Sequence, residues 1–287
     1  MFEYAITHWL QKAAEHVIGC VICSPGCFSL LRAKALMDDS VMKKYTRDSE
    51  RARQHIQYDQ GEDRWLCSLL LQRGYRIEYS AASDAYTHVP DNFKEFYYQR
   101  RRWIPSTMVN LIDLIGNYKS TVQNNHNITL VYVLYQVLLV VGTILGPGTI
   151  FLILVGAFVA AFNITIWDSF YWNIIPVVLF VIICFTCKSN IQLYVAAIIS
   201  ILYGLAMMVV LLSILIQMSQ YSWLAPSSLF LFIVTGLIVI AGLMHPQELI
   251  CLPCGVVYYL TIPSIYMLLV IYSIINLNEI MWGTREV

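Results

Sequence analysis

Two short groups of residues in this 287-residue chain have the types and spacing for chemistry. The first is Asp63, with Glu62 beside it, placed directly after Gly61 where an apolar-periodic segment begins. A carboxylate at a helix start can serve as a general base. The plainer role of adjacent acids there is to cap the helix and meet the positive end of its dipole. The second group is Gln99-Arg100-Arg101-Arg102-Trp103. Neighbours on a helix lie about 100° apart, so three consecutive arginines cannot share a face. One can address a ligand while the others meet solvent or lipid headgroups. The planar fork of Arg suits a diphosphate, and Trp offers a stacking surface. The plainer reading is a basic membrane anchor.

These groups need elements to position them. Val17–Cys23 is a short β-rich apolar run and reads as a buried strand, stopped by Ser24-Pro25-Gly26. Ala33–Tyr45 reads as one helix, and the polar stretch Thr46–Gln60 as a loop or exposed helix. Trp65, Leu66, Leu69 and Leu70 recur at helical spacing, so a helix is expected from Gly61 to about Arg73, with Gly74 as its C-cap. Ile77–Ser80 and Ala85–His88 read as short strands, which argues for an α/β fragment. Lys94–Tyr118 combines aromatic and aliphatic residues with a basic cluster and fits a helix at a membrane surface, with Pro105 ending or kinking its first part.

Composition divides the chain. It is 58% hydrophobic and only 13% charged, with a mean hydropathy of +0.63. Soluble domains hold roughly 25% charged residues, so these values indicate a membrane protein. Formal net charge is zero, which removes nucleic acid as an obvious partner. Of 18 Lys and Arg, all but Lys188 and Arg285 precede Asn125, so a polar part is followed by a nearly uncharged one. Apolar runs at 130–145, 149–162, 171–187, 191–217, 227–244 and 256–276 approach the ~20 residues a spanning helix needs. The first two meet at Gly146-Pro147-Gly148, as two short helices or one long broken one, so five or six spans are expected. Eight cysteines include three Cys-x-x-Cys pairs, read as small apolar residues rather than zinc ligands, because they do not form one four-ligand set.

Further segments carry a resemblance. Ser24-Pro25-Gly26-Cys27-Phe28-Ser29-Leu30-Leu31-Arg32, Gly61-Glu62-Asp63-Arg64, Gln99–Trp103 and Trp282-Gly283-Thr284-Arg285-Glu286 together resemble the processive inverting family 2 glycosyltransferases. Their finer spelling resembles the chitin synthases in their animal form, with Met281 standing where Ser is usual. The resemblance implies the C-terminal part of a GT-A glycosyltransferase domain over residues 1–92. Interfacial amphipathic helices would follow over 93–125, and a transmembrane bundle over 126–287. It implies that Asp63, with Glu62 in the same motif, deprotonates the 4-hydroxyl of the acceptor sugar. That oxygen would attack UDP-N-acetylglucosamine with inversion. Arg101 or Arg102 would meet the diphosphate, and Gln99 and Trp103 would hold the acceptor. Ser24, Pro25, Gly26 and Cys27 would border it. Trp282, Gly283, Thr284 and Arg285 would gate the channel from the cytosol, which favours six spans.

The same resemblance implies a divalent cation, Mg or Mn, on an Asp-x-Asp motif that this sequence lacks. The chain is therefore expected to be inactive alone and to act as part of a longer protein. Implied partners are UDP-N-acetylglucosamine, a chitin oligomer and the plasma-membrane bilayer, with the catalytic part cytosolic and a homo-oligomer compatible. A hyaluronan-type synthase and a non-enzymatic channel or transporter are the alternatives.

Overall fold

The computed structural model describes residues 1–83, 85–220 and 226–279. Among these the chain is helical, with no β-strand. In order the helices are α1 (Phe2–Ile6), α2 (Ala13–Ile18), α3 (Ala33–Leu36), α4 (Asp39–Tyr45), α5 (Ala52–Gln54), α6 (Glu62–Gln72), α7 (Phe93–Gly116) and α8 (Tyr118–Asn124). They continue as α9 (Leu130–Phe162), α10 (Ile166–Thr186), α11 (Ser189–Gln220), α12 (Pro226–Leu243), α13 (Cys254–Pro263) and α14 (Leu269–Ile275). π-helical turns at Thr7–Lys12 and Ser264–Leu268 join α1 to α2 and α13 to α14.

The chain divides into two units, one of Leu10–Ile144 with the described residues from Leu277, the other of Met1–Trp9 with Leu145–Asn276. In the first unit α6 is the central element and carries a core on each side. Leu71 packs with Cys20, Ile22, Leu114, Ile128 and Tyr132. Trp65, Leu69 and Leu70 pack with Ala35 and Val41. The C-terminus of α6 is closed by Gly74 at φ 102°, and by Asn125, whose Nδ2 donates to the carbonyls of Leu71 (3.0 Å) and Tyr75 (2.9 Å). Carbonyls that would be orphaned at a helix end are thereby satisfied.

The expected α/β fragment is not confirmed among the described residues, which form no strand. Cys20, Val21 and Ile22 are buried as anticipated. However, the segments at 20–23 and 77–80 share one backbone bond, Val21 N–H to Ile77 O at 3.1 Å. Three further backbone groups are taken by side chains. Tyr132 Oη donates to Cys20 O (2.7 Å), Ile22 N–H donates to Glu15 Oε2 (3.2 Å), and Tyr79 N–H donates to His16 Nδ1 (3.2 Å). Satisfaction by side chains replaces a ladder. Val17 and Ile18 belong to α2 instead of a strand. The single helix expected over Ala33–Tyr45 is two, because Asp38 adopts an extended conformation and accepts from Ser40 N–H as the N-cap of α4. Pro105 neither ends nor divides α7, which runs 24 residues through it.

Among the described residues four helices are long and apolar enough to cross a membrane: Leu130–Phe162, Ile166–Thr186, Ser189–Leu215 and Cys254–Ile275. The count is below the expected five or six for two reasons. Gly146-Pro147-Gly148 lies inside α9, which is a single 33-residue helix. The run at 227–244 gives a shorter apolar helix, Ser228–Leu243. In the second unit the helices are joined by polar contacts. Ser200 Oγ meets Ser264 Oγ at 2.6 Å, and Tyr203 Oη donates to Asn173 O at 3.0 Å. Gln192 Nε2 donates to the carbonyls of Cys184 and Cys187, and its Oε1 accepts from Asn276 Nδ2, each at 2.9 Å. Such bonds hold helices together where lipid supplies no hydrophobic contrast. The same unit seats α1: Phe2 packs on Tyr258 at 5.3 Å, and Trp9 Nε1 donates to Glu248 while its ring stacks on His245 at 5.8 Å.

Candidate functional site

The site forms where the start of α6 meets one face of α7. Gly61 is the N-cap of α6. A Cβ added there would stand 2.7 Å from Ser106 Cβ and 3.2 Å from Asn110 Nδ2, so only Gly allows this approach. Asn110 is buried, and its Nδ2 donates to Ser106 O (2.9 Å) and Gln57 O (3.4 Å). These bonds tie α7 to the segment leading into α6.

That contact sets which part of the Gln99–Trp103 group is brought to Asp63. At 100° per residue, Gln99, Trp103, Ser106 and Asn110 fall within about 60° of one another round α7, with Arg102 at the edge of that face, about 60° from Gln99 and about 100° from Trp103. Ser106 and Asn110 touch Gly61, so this face is turned to the start of α6, where Asp63 stands. The guanidinium of Arg64 lies 5.9 Å from the Trp103 ring centroid and that of Arg100 lies 4.6 Å from it. An acceptor sugar stacking on Trp103 would therefore compete with guanidinium contacts. Gln99 Oε1 is buried with no hydrogen-bond partner among the described residues.

Arg101 is not on this face. It points about 200° away from Gln99, is buried, lies 5.4 Å from the Tyr98 ring centroid, and comes within 3.9 Å of Glu279 Oε2. The two arginines that the sequence left as alternatives are separated by this geometry, and Arg102 is the one nearer the Gln99–Trp103 face.

Asp63 Oδ1 accepts from Arg64 N–H at 2.7 Å, and its Oδ2 accepts from the Cys23 thiol at 3.6 Å. Glu62 is half-buried one residue earlier, about 100° round the helix. Cys67, one turn after Asp63, accepts from Ser24 N–H at 3.3 Å. The Ser24–Cys27 loop is thus anchored to the Asp63 face of α6. Ser24 Oγ lies 2.6 Å from Ser29 Oγ, and Ser29 donates to Pro25 O, while Gly26 and Cys27 are exposed. Burial pushes the Cys23 thiol up to about 11 and the Cys67 thiol up to about 12. Both are neutral at pH 7, which makes them donors and spacers and removes a thiolate nucleophile from consideration. Deeper in, Glu15 is buried and accepts from Ile22 N–H and, at 3.1 Å, from Gln11 Nε2. Burial raises its carboxyl above the usual range.

Among the described residues no three His, Cys, Asp or Glu side chains converge as metal ligands. The residues present therefore do not fit a divalent cation, and no chemistry is routed through one. Trp282, Gly283, Thr284 and Arg285 lie outside the described residues. Ser106, Asn110 and Cys67 were missed as contributors. The helical spacing of Ser106 and Asn110 from Trp103 is the signal that could have found two of them.

Comparison with known proteins agrees with the resemblance. A family model described as chitin synthase matches residues 1–187. The chain is 52% identical over 286 residues to a chitin synthase of Meloidogyne artiellia, covering 99% of this chain and 15% of that protein. It is 52% identical over 285 residues to chitin synthase chs-1 of Caenorhabditis elegans, covering 99% of this chain and 22% of that one. Chitin synthase 6 of Pyricularia oryzae is 40% identical over 126 residues, 40% of this chain and 7% of that protein. The chain thus spans about a fifth or less of the length of the nematode relatives it matches. With most of its residues under that family model and half of them identical to nematode chitin synthases along nearly its full length, the chain belongs to the chitin synthase family.

Proposed function

We propose that this chain supplies the acceptor and product side of a chitin-forming glycosyltransferase. In this reading Asp63 takes the proton of the 4-hydroxyl on the terminal N-acetylglucosamine. The freed oxygen bonds to the anomeric carbon of UDP-N-acetylglucosamine, the bond to the diphosphate breaks, and UDP leaves with inversion at that carbon. Arg102 stabilises the charge gathering on the diphosphate. Trp103 carries the acceptor ring, and Gln99 Oε1 accepts one of its hydroxyls. Residues 1–92 would complete a GT-A domain of α/β type. Residues 93–125 would lie at the cytosolic surface of the plasma membrane, and 126–287 would pass the polymer outward. Trp282–Arg285 would gate that path.

The observation that carries this reading is the Gly61–Ser106 contact, which turns the Gln99–Trp103 face of α7 towards the start of α6. Both groups picked out for their chemistry then serve one site. The relatives favour a chitin synthase over a hyaluronan-type enzyme. The test uses a longer protein that joins this chain to an Asp-x-Asp donor domain. Asp63→Asn should lower chitinase-sensitive incorporation of labelled N-acetylglucosamine by a factor of about 100 or more, with the fold retained. Unchanged incorporation in a folded variant would sink the assignment, and is what a channel without catalysis predicts.

A further inference from the structure

Behind α6 lies a cleft that the proposed reaction does not use. Trp65 and Gln72 are seven residues apart and share a face of α6, while Trp65 lies about 200° from Asp63. The cleft holds about 350 Å³ and opens between Lys44, Arg47, Tyr58, Trp65, Gln72 and Asp113, all in the first unit, with hydroxyls of Ser120 and Thr121 at its far wall. That volume suits a single small molecule.

The lining has three chemistries. At its base is an aromatic platform: Tyr58 and Trp65 stack at 4.7 Å with their planes 23° apart. Trp65 is buried, and its indole N–H has no hydrogen-bond partner among the described residues. A buried donor left unmade is costly, so a ligand oxygen that reaches it would recover that cost. On one side are neutral and anionic acceptors. Asp113 Oδ2 accepts from Gln72 Nε2 at 3.0 Å, fixing both side chains and leaving Oδ1 to receive hydroxyls. At the entrance are two cations, the exposed ammonium of Lys44 and the guanidinium of Arg47, the latter steadied by Glu50 at 3.1 Å.

A purely anionic ligand would meet the Asp113 carboxylate, and a purely neutral sugar would leave the cations unused. We propose that this cleft binds a small phosphorylated polyol ring, its apolar side against the edge of the Tyr58–Trp65 stack, its hydroxyls on Asp113 and Gln72, and its phosphate at Lys44 and Arg47. A soluble sugar phosphate and an inositol phosphate headgroup share this chemistry.

The test uses the full 287-residue chain in phosphatidylcholine nanodiscs and needs no synthase activity. Calorimetric titration with N-acetylglucosamine 6-phosphate and with inositol 4-phosphate should show saturable binding. Lys44→Glu, an exposed change, should weaken it at least about 10-fold by reversing the charge that meets the phosphate. Trp65→Phe, which keeps a ring but removes the indole donor, should weaken it several-fold. Asp63→Asn should leave it unchanged. A preference for the sugar phosphate or for the inositol phosphate identifies the soluble or the lipid source. Absence of saturable binding by either probe, equal binding of unphosphorylated N-acetylglucosamine, or binding indifferent to Lys44→Glu in folded protein would each overturn the proposal.

Discussion

Replacing Gly61 by Ala tests the packing on which the site depends. The backbone there has φ −136° and ψ 43°, so an L-residue meets no left-handed strain and the effect is steric. The new Cβ would lie 2.7 Å from Ser106 Cβ, whereas ordinary contact begins near 3.4 Å. The start of α6 and the face of α7 must therefore part by about 0.7 Å, with Asn110 Nδ2, 3.2 Å from the new carbon, pushed as well. Overpacking of this kind costs about 1–3 kcal/mol. Displacing catalytic groups by about 1 Å costs on the order of 100-fold in rate. In a longer protein carrying a donor domain, Gly61→Ala should thus reduce chitin formation by about 10- to 100-fold while thermal unfolding stays cooperative. The second arm is Ser106→Gly, which removes the opposing carbon. Combined with Gly61→Ala it should recover most of the lost rate, giving a favourable coupling in a double-mutant cycle. Full activity in the single variant, or no recovery in the double, would refute the argument that this contact sets the site.

Three further outcomes follow from particular residues. Gly74→Ala puts a side chain at φ 102° with its Cβ 2.6 Å from Asn124 O, so thermal unfolding should show a loss of about 1–3 kcal/mol. Arg102→Lys should cost roughly 10- to 100-fold in polymer formation with the fold unchanged, by losing a forked contact to the diphosphate; harmless substitution would return the helix to a membrane-anchor role. Glu15 has a carboxyl raised by burial, so its contribution to stability is complete below the ordinary value near 4.5 and is lost as pH rises through the raised folded value. Glu15→Gln cannot ionise, so its melting temperature should fall less than that of the parent from pH about 4.5 upward, and parallel curves would disprove the assignment.

The sequence alone was enough to place α6, because Trp65, Leu66, Leu69 and Leu70 repeat at helical period and Gly74 supplies the positive φ at its end. Charge and hydropathy were enough to locate the membrane-spanning half, since ~20 apolar residues leave few alternatives in lipid. The Asp63 and Gln99–Trp103 groups stand out in the sequence as candidates for chemistry because of their residue types and their occurrence together. Burial of Cys20–Ile22 was also readable, but strand pairing was not. Whether such a segment forms a ladder depends on what satisfies its backbone, and here Glu15, His16 and Tyr132 do so from distant positions. Gly146-Pro147-Gly148 reads locally as a break, yet α9 continues through it. Only the tertiary structure could place Arg102 and Arg101 in different surroundings. The two are adjacent in sequence and equal in charge, and their difference comes from which face of α7 meets Gly61, a contact between residues 45 positions apart.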